Sequence, residues 1–425
     1  MTRLFRRSGL VHGTAWMFFA QSGGLLCQVG YFVVAARALG VNTFGQLAAS
    51  LALVAIFVPF SAWGSGNLIV MDVVRDPRSF SVSFGNALVS IGATAVVLVP
   101  LTLLLAALFL PKIPLAAILL LALADLGFGR VTGISAPAFQ GFERFGSMTA
   151  VSLVAPIIRL AAIVVFAVFW DSHDLVTWTA LYFLGTVTGA TIATWYTCHE
   201  LGRPHLDLHA LRKRVKLGGY FAVGLSAGSI YGDIDKTMLG RLSTFDAAGI
   251  YAAADRAVGM AFMPIMAMLS AAYPRFFRAG TAGIHASAAY ARRLLPAATG
   301  YGLLAGIGIF VLAPLAPHIL GADFAQSVGA LRWLAPVPLL SVLYYLPADA
   351  LTGADAQGLR TIIQVVAAAL NVGLNILLIP EHSWEGAAWA TLATLGFLAA
   401  ALWLAVGLTS RTATSPSAST SPTVS

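Results

Sequence analysis

Five basic residues (Arg130, Arg159, Lys236, Arg256, Arg332) and five acidic ones (Asp125, Asp233, Asp235, Asp255, Asp349) interrupt long apolar stretches of the sequence. A charge at mid-membrane costs about 2.5–3.5 kcal/mol on insertion scales, so each needs a water-filled cavity, a ligand or a partner. Arg159 lies near the middle of its stretch, with no acid three or four positions away on the same helix. A guanidinium presents a planar fork that fits phosphate or carboxylate oxygens two at a time. Arg159 is therefore expected to hold an anion, the competing reading being a structural pair with Asp125 on another helix. Asp125 and Arg130 share one stretch five residues apart, about 140° around an α-helix, so each is expected to find its partner elsewhere. Arg130 lies nearer the cytoplasmic end, where it either meets an entering headgroup or snorkels to the interface. Asp255-Arg256 and Asp235-Lys236 either pair across a hairpin or contact substrate. Substrate-binding candidates are thus Arg159, Arg130, Arg256 and Lys236, and candidates for ion coupling or structural pairing are Asp125, Asp235 and Asp255.

Other chemistries lack their residues. Asp233-Ile234-Asp235 has the Asp-x-Asp spacing of metal-dependent glycosyltransferases, but on a helix i and i+2 point about 200° apart and cannot share a metal. There is no phosphate-binding glycine loop, no Ser/His/Asp set, and no ligand spacing among the 8 histidines. Cys27 and Cys198 sit in apolar stretches and read as small core residues. No catalytic residue, metal or cofactor is expected. Asn371 and Asn375 share one helix face and read as interhelical glue. Gln21, Gln28, Tyr31, Trp63, Tyr231 and Tyr251 are sugar-compatible side chains that packing or an aromatic belt explains equally well.

The elements that carry these residues must be membrane spans. Of 425 residues, 59% are hydrophobic and 10% charged, with mean hydropathy +0.85, far from globular averages. Apolar runs fall near 14–36, 46–70, 86–110, 115–136, 148–170, 175–198, 217–239, 247–272, 293–316, 328–352, 361–379 and 386–408. Twelve spans of about 20 residues leave no loop large enough for a soluble catalytic domain. Arg3, Arg6 and Arg7 precede the first run as in a signal sequence, but that run is too long for a cleaved one and reads as the first span. With the N-terminus inside, 17 of the 25 basic residues fall on inside segments, 3 outside and 5 within spans. This asymmetry places both termini in the cytoplasm. The net charge of +8 is accordingly read as inside loops facing anionic lipid, not as a nucleic-acid surface.

Shifted by 204 positions the chain matches itself at Ser22/Ser226, Gly24/Gly228, Arg37/Arg241, Gly45/Gly249, Ala48/Ala252 and Ala49/Ala253. The offset is about half of the chain, as expected for two parallel six-helix repeats with a substrate path at their interface. The expected organisation is an N-terminal lobe over 1–198, a basic cytoplasmic connection over 199–217, a C-terminal lobe over 218–408 and a disordered cytoplasmic tail over 409–425. The fold class is an all-α polytopic membrane protein, with twelve helices in two pseudo-symmetric lobes around a central cavity.

The motifs Arg37-Ala38-Leu39-Gly40 with Phe44-Gly45, Gln140-Gly141-Phe142-Glu143-Arg144-Phe145, Asp235-Lys236 with Ala248-Gly249-Ile250-Tyr251, and Asn371, Asn375, Pro380 and Gly386-Ala387-Ala388-Trp389 occur in this order. In these the chain resembles bacterial O-antigen and polysaccharide flippases of the multidrug/oligosaccharidyl-lipid/polysaccharide exporter superfamily. The resemblance implies alternating access in the bacterial inner membrane. It implies a lipid-linked oligosaccharide on undecaprenyl pyrophosphate as substrate, membrane lipid as a partner, and the polysaccharide polymerase machinery as a further one. A cation-coupled multidrug exporter on the same fold is the alternative. A polytopic glycosyltransferase or polysaccharide ligase is disfavoured by the short outside loops.

Overall fold

The computed structural model describes residues 2–63, 65–170, 174–207, 226 and 228–414. The connection expected over 199–217 is described as far as Asp207; its remainder, residues 171–173 and the last part of the tail lie outside the described residues. The helices are α1 (Thr2–Ala55), α2 (Val58–Ser61), α3 (Ser65–Arg75), α4 (Phe80–Phe109), α5 (Leu115–Ala122), a π-helical turn (Leu123–Phe128), α6 (Gly129–Gly141), α7 (Phe145–Phe169), α8 (Leu175–Leu201), α9 (228–242), α10 (Phe245–Gly280), α11 (Ile284–Leu312), α12 (Ala316–Leu320), α13 (Ser327–Leu334), α14 (Val337–Gly353) and α15 (Gln357–Thr414). The last helix runs beyond Leu408, into the segment expected to be tail.

Nine stretches among the described residues are long and apolar enough to cross a membrane. Two of these hold more than one span. In α1 the helix breaks at Gly40, whose φ of 69° and ψ of 170° suit a residue without Cβ. In α15 it breaks at Ser383, just past Pro380. Past Gly40 the chain runs on through α2 and α3, and α9 lies where the seventh span is expected, its preceding residues lying outside the described ones. Between them the turns are locally capped. Asp174 accepts from the backbone N–H groups of Val176 and Thr177 at the start of α8, and from the Thr177 hydroxyl. The Thr177 hydroxyl bond, with the backbone ones, holds the Asp174 carboxyl below the usual carboxylate range against the opposing effect of burial.

By packing, the chain divides into two compact units, Met1–Gly249 with His318–Phe324, and Ile250–Pro317 with Ala325–Ser425. The boundary expected near 199–217 is a division by repeat; the packing boundary lies later because α9 and the start of α10 rest on the first repeat's residues. In the first unit α7 packs along α1 and α8, around fully buried Phe166 and Trp178. The chain leaving α8 is pinned to α4. His205 N–H donates to the Ser81 carbonyl at 2.8 Å, and Asp207 N–H to the Asn86 side chain at 3.0 Å.

In the second unit α14 packs between α11 and α15. The Ser287 hydroxyl donates to the Ala350 carbonyl and the Trp403 indole to the Leu343 carbonyl, each at 2.9 Å. Asn375 donates to Asn371 at 3.0 Å, and Asn371 to Thr394 at 3.3 Å. Both asparagines are fully buried; Asn371 reaches Thr394 beyond the break at Ser383, while the bond of Asn375 stays on its own helix.

A guanidinium–carboxylate centre as the candidate functional site

The elements of the first unit bring three of the candidate residues together. Asp125 lies on the π-helical turn, Arg130 at the start of α6 and Arg159 two-thirds along α7. Arg159 Nη2 donates to Asp125 Oδ1 at 3.2 Å, and the Tyr182 hydroxyl from α8 donates to the same oxygen at 2.8 Å. The Arg159 guanidinium carbon sits 4.7 Å from the Tyr182 ring centroid, within range of a cation–π contact. Trp178 lies one turn before Tyr182, its ring 6.0 Å from Tyr182 and 6.0 Å from Tyr31 of α1.

Arg130 is placed by the π-helical turn. In that turn the backbone bonds i to i+5, with Gly129 N–H reaching the Ala124 carbonyl. A Cβ on Gly129 would come within 2.9 Å of that carbonyl oxygen. Arg130 Nε reaches back to the Asp125 main-chain carbonyl at 3.1 Å. The Asp125 carboxylate goes to α7 and α8, whereas Arg130, expected to find its partner elsewhere, bonds the Asp125 main chain.

Two guanidiniums around one carboxylate leave a net positive centre within the helices. Of the five N–H donors on Arg159, one is engaged by Asp125, and Nε is buried with no partner. The Arg159 side chain is 35% exposed, against 17% for that of Asp125. The structural pair between Arg159 and Asp125 is present, and the guanidinium has donors beyond the one that this pair uses.

The remaining candidates lie elsewhere. Lys236 on α9 is buried, and its ammonium pairs with Asp233 one turn back at 2.7 Å, donates to the Gly232 carbonyl at 3.2 Å, and lies 3.9 Å from Asp235. Asp255 and the exposed Arg256 lie on α10 in the second unit. Tyr251 is fully buried and shares a hydrogen bond with Thr391 at 2.8 Å, so it is a packing residue. Arg332 rests on the Phe310 ring at 5.2 Å, as an interfacial anchor does. Sequence reasoning missed Tyr182; its signal was a tyrosine inside a span, whose hydroxyl must find a partner when buried.

The fold is shared with solved transporters. An inward-facing multidrug resistance MATE family transporter of the MOP superfamily superposes with TM-score 0.74 at 12% identity, over 92% of this chain and 96% of that one. The lipid II flippase MurJ in an inward closed conformation gives 0.68 at 12% identity, over 93% and 87%. A mutant of the Vibrio cholerae MATE transporter VcmN gives 0.60 at 15% identity, over 95% and 98%. No curated protein matches the chain by sequence. The family model described as "Polysaccharide biosynthesis protein" matches residues 10–279, well over half of the chain. The chain belongs to that family, as a multi-pass, all-α membrane protein built on the fold of MOP-superfamily flippases and transporters.

Proposed function

We propose that the protein is a flippase that moves an undecaprenyl-pyrophosphate-linked oligosaccharide from the cytoplasmic to the periplasmic leaflet of the bacterial inner membrane, for assembly of a cell-surface polysaccharide. Its two repeats alternate access as lobes, with both termini in the cytoplasm. The observation that carries this reading is the cationic centre at Arg159, its side chain about one-third exposed among transmembrane helices, in a chain of the polysaccharide biosynthesis family. A bare pyrophosphate cannot cross hydrocarbon, because an unpaired ion loses its hydration there. A fork with unengaged donors replaces part of that hydration while the lipid tail stays in the bilayer. Arg130 adds a second positive charge nearer the expected cytoplasmic entry.

With the cytosol negative, moving anionic charge outward gains about 2.3 kcal/mol per elementary charge per 100 mV, so the membrane potential favours export. The family membership and the fold shared with a lipid II flippase support a lipid-linked cargo. Cation-coupled drug export would call for a carboxylate open to the substrate path. Asp125 instead has one oxygen engaged by both Arg159 and Tyr182, which weighs against that alternative. The test is complementation of a flippase-null strain, scored by surface polymer. Restored polymer supports the reading; drug efflux without polymer would replace it with the exporter.

A further inference from the structure

Gln21 and Gln28 lie seven residues apart on α1 and, with Gly24 and Leu25, fall within about 100° of one another around the helix. Gln21 is exposed, and Gln28 and Leu25 are half-buried. Neither glutamine amide bonds to a described residue, and neither is sealed inside the protein. A Cβ on Gly24, between the two, would meet nothing within 4 Å, so the stripe borders open space.

The other faces of α1 have different surroundings. Gly23 and Gly30 meet α7, where an added Cβ would come within 3.1 Å of Leu153 and 3.3 Å of Leu160. Phe19, Leu26 and Val29 are exposed and form an apolar face that suits lipid tails. The glutamines lie on neither. An amide without a partner is costly in hydrocarbon, so the stripe needs water or a polar ligand in front of it.

Gly23 with Leu153 and Gly30 with Leu160 are separated by the same 130 residues. The two helices therefore run side by side in one direction, and Arg159 is level with Val29, next to Gln28. Tyr31, one turn past Gln28, meets Trp178 at 6.0 Å; Trp178 meets Tyr182, whose ring lies under the Arg159 guanidinium. Gln28 is thus at the depth of the guanidinium, and Gln21 lies about 10 Å nearer the start of α1.

Resting on the flippase reading, we infer that the stripe Gln21–Gly24–Gln28 is a sugar subsite. With the pyrophosphate at Arg159, the linked sugars lie along α1, and the protein distinguishes a glycan-loaded carrier lipid from the bare carrier. Arg159 alone does not make that distinction, because both carriers bear the pyrophosphate. A glutamine amide offers a carbonyl acceptor and two N–H donors, which match the mixed donor and acceptor character of neighbouring ring hydroxyls. The amides are about 10 Å apart, the reach of a disaccharide, and Gly24 leaves room for the rings between them. A bare carrier leaves both amides without partners, and a site built to bond hydroxyls discriminates against the ligand that lacks them.

The test uses the full chain with Cys27→Ser and Cys198→Ser in lipid vesicles, and a charged, water-soluble thiol reagent. The reporter is Leu25→Cys, on the side of the amides; the control is Leu26→Cys, on the apolar face. A thiol in lipid does not ionise, so the reporter should react at least about tenfold faster than the control. Equal rates would place the stripe in lipid and overturn the inference. The probes are farnesyl diphosphate and the same lipid carrying a glucose disaccharide. Both should slow labelling of the reporter, the sugar-bearing probe at about tenfold lower concentration, the scale of one or two hydrogen bonds. Gln21→Ala with Gln28→Ala, at two open positions, should remove that difference and leave the effect of farnesyl diphosphate unchanged. Arg159→Ala should weaken both probes alike. Equal protection by the two probes, or a difference that survives in the glutamine variant, would overturn the sugar subsite and leave the headgroup site standing. Protection by neither probe would overturn the lipid-linked cargo, and the subsite with it.

Discussion

Tyr182 donates its hydroxyl, at 2.8 Å, to the same Asp125 oxygen that receives Arg159 at 3.2 Å, and its ring lies under the guanidinium. One side chain thus steadies both members of the pair, the carboxylate through its hydroxyl and the cation through its ring. The two contributions are separable by mutation.

Tyr182→Phe removes the hydroxyl and keeps the ring. It leaves Asp125 with one donor fewer, a loss of about 0.5–1.5 kcal/mol, so thermal stability in detergent should fall by a few degrees while export stays within about threefold of the parent. Tyr182→Ala also removes the buried ring and should cost about 3–5 kcal/mol by the cavity it leaves. Equal effects of the two changes would show that the hydroxyl, not the ring, is what matters.

A second pair joins α14 to α15. Arg360 Nη1 donates to Asp349 at 3.3 Å and to Thr352 at 2.7 Å, with the two charged side chains 15% and 8% exposed. Arg360→Ala strands the Asp349 carboxylate, and breaking a buried pair from one side costs about 3–5 kcal/mol. Asp349→Asn in the same chain should recover most of that loss. The readout is the melting temperature of the purified protein; an unchanged melting point in Arg360→Ala would remove the pair from the account of stability.

Orientation is tested by single cysteines in a chain lacking Cys27 and Cys198. Lys112, an exposed turn residue, and Glu381, exposed just before the break at Ser383, are expected outside, and Thr281 is an exposed turn residue expected inside. Cysteines at the first two should react with an impermeant thiol reagent on whole spheroplasts, and at Thr281 only after permeabilisation. The reverse pattern would invert the topology and with it the export direction.

The sequence announced the spans through hydropathy, and Arg159 through its depth in one of them. Its partner was harder to see. Asp125 was a nameable acid on another helix, but the π-helical turn around it leaves no mark in hydropathy, and only that turn explains why Arg130 reaches the Asp125 carbonyl. The repeat at an offset of 204 was visible as identities at Gly45/Gly249. That the two glycines touch was not, because a repeat reports equivalence and not contact. Asn42 and Asp246 are aligned yet not identical, so a search for identities passes over the pair that hydrogen-bonds. Asp349 and Arg360 were assigned to a span and a loop; helix ends displaced by a few residues brought them within bonding distance.

The most direct measurement of the central claim is surface polymer and protein level for Arg159→Ala, with and without Asp125→Asn, in a flippase-null strain. Arg159→Ala removes the fork and leaves Asp125 held only by Tyr182, so polymer should fall at least about tenfold, the scale of one lost charge-assisted contact. Arg159→Lys keeps the charge without the fork and should retain partial export. Adding Asp125→Asn to Arg159→Ala relieves the stranded carboxylate, so protein level should recover while export stays low. Recovery of export in that double variant would contradict the account, because it would make Arg159 a structural counterion and not the group that holds the headgroup.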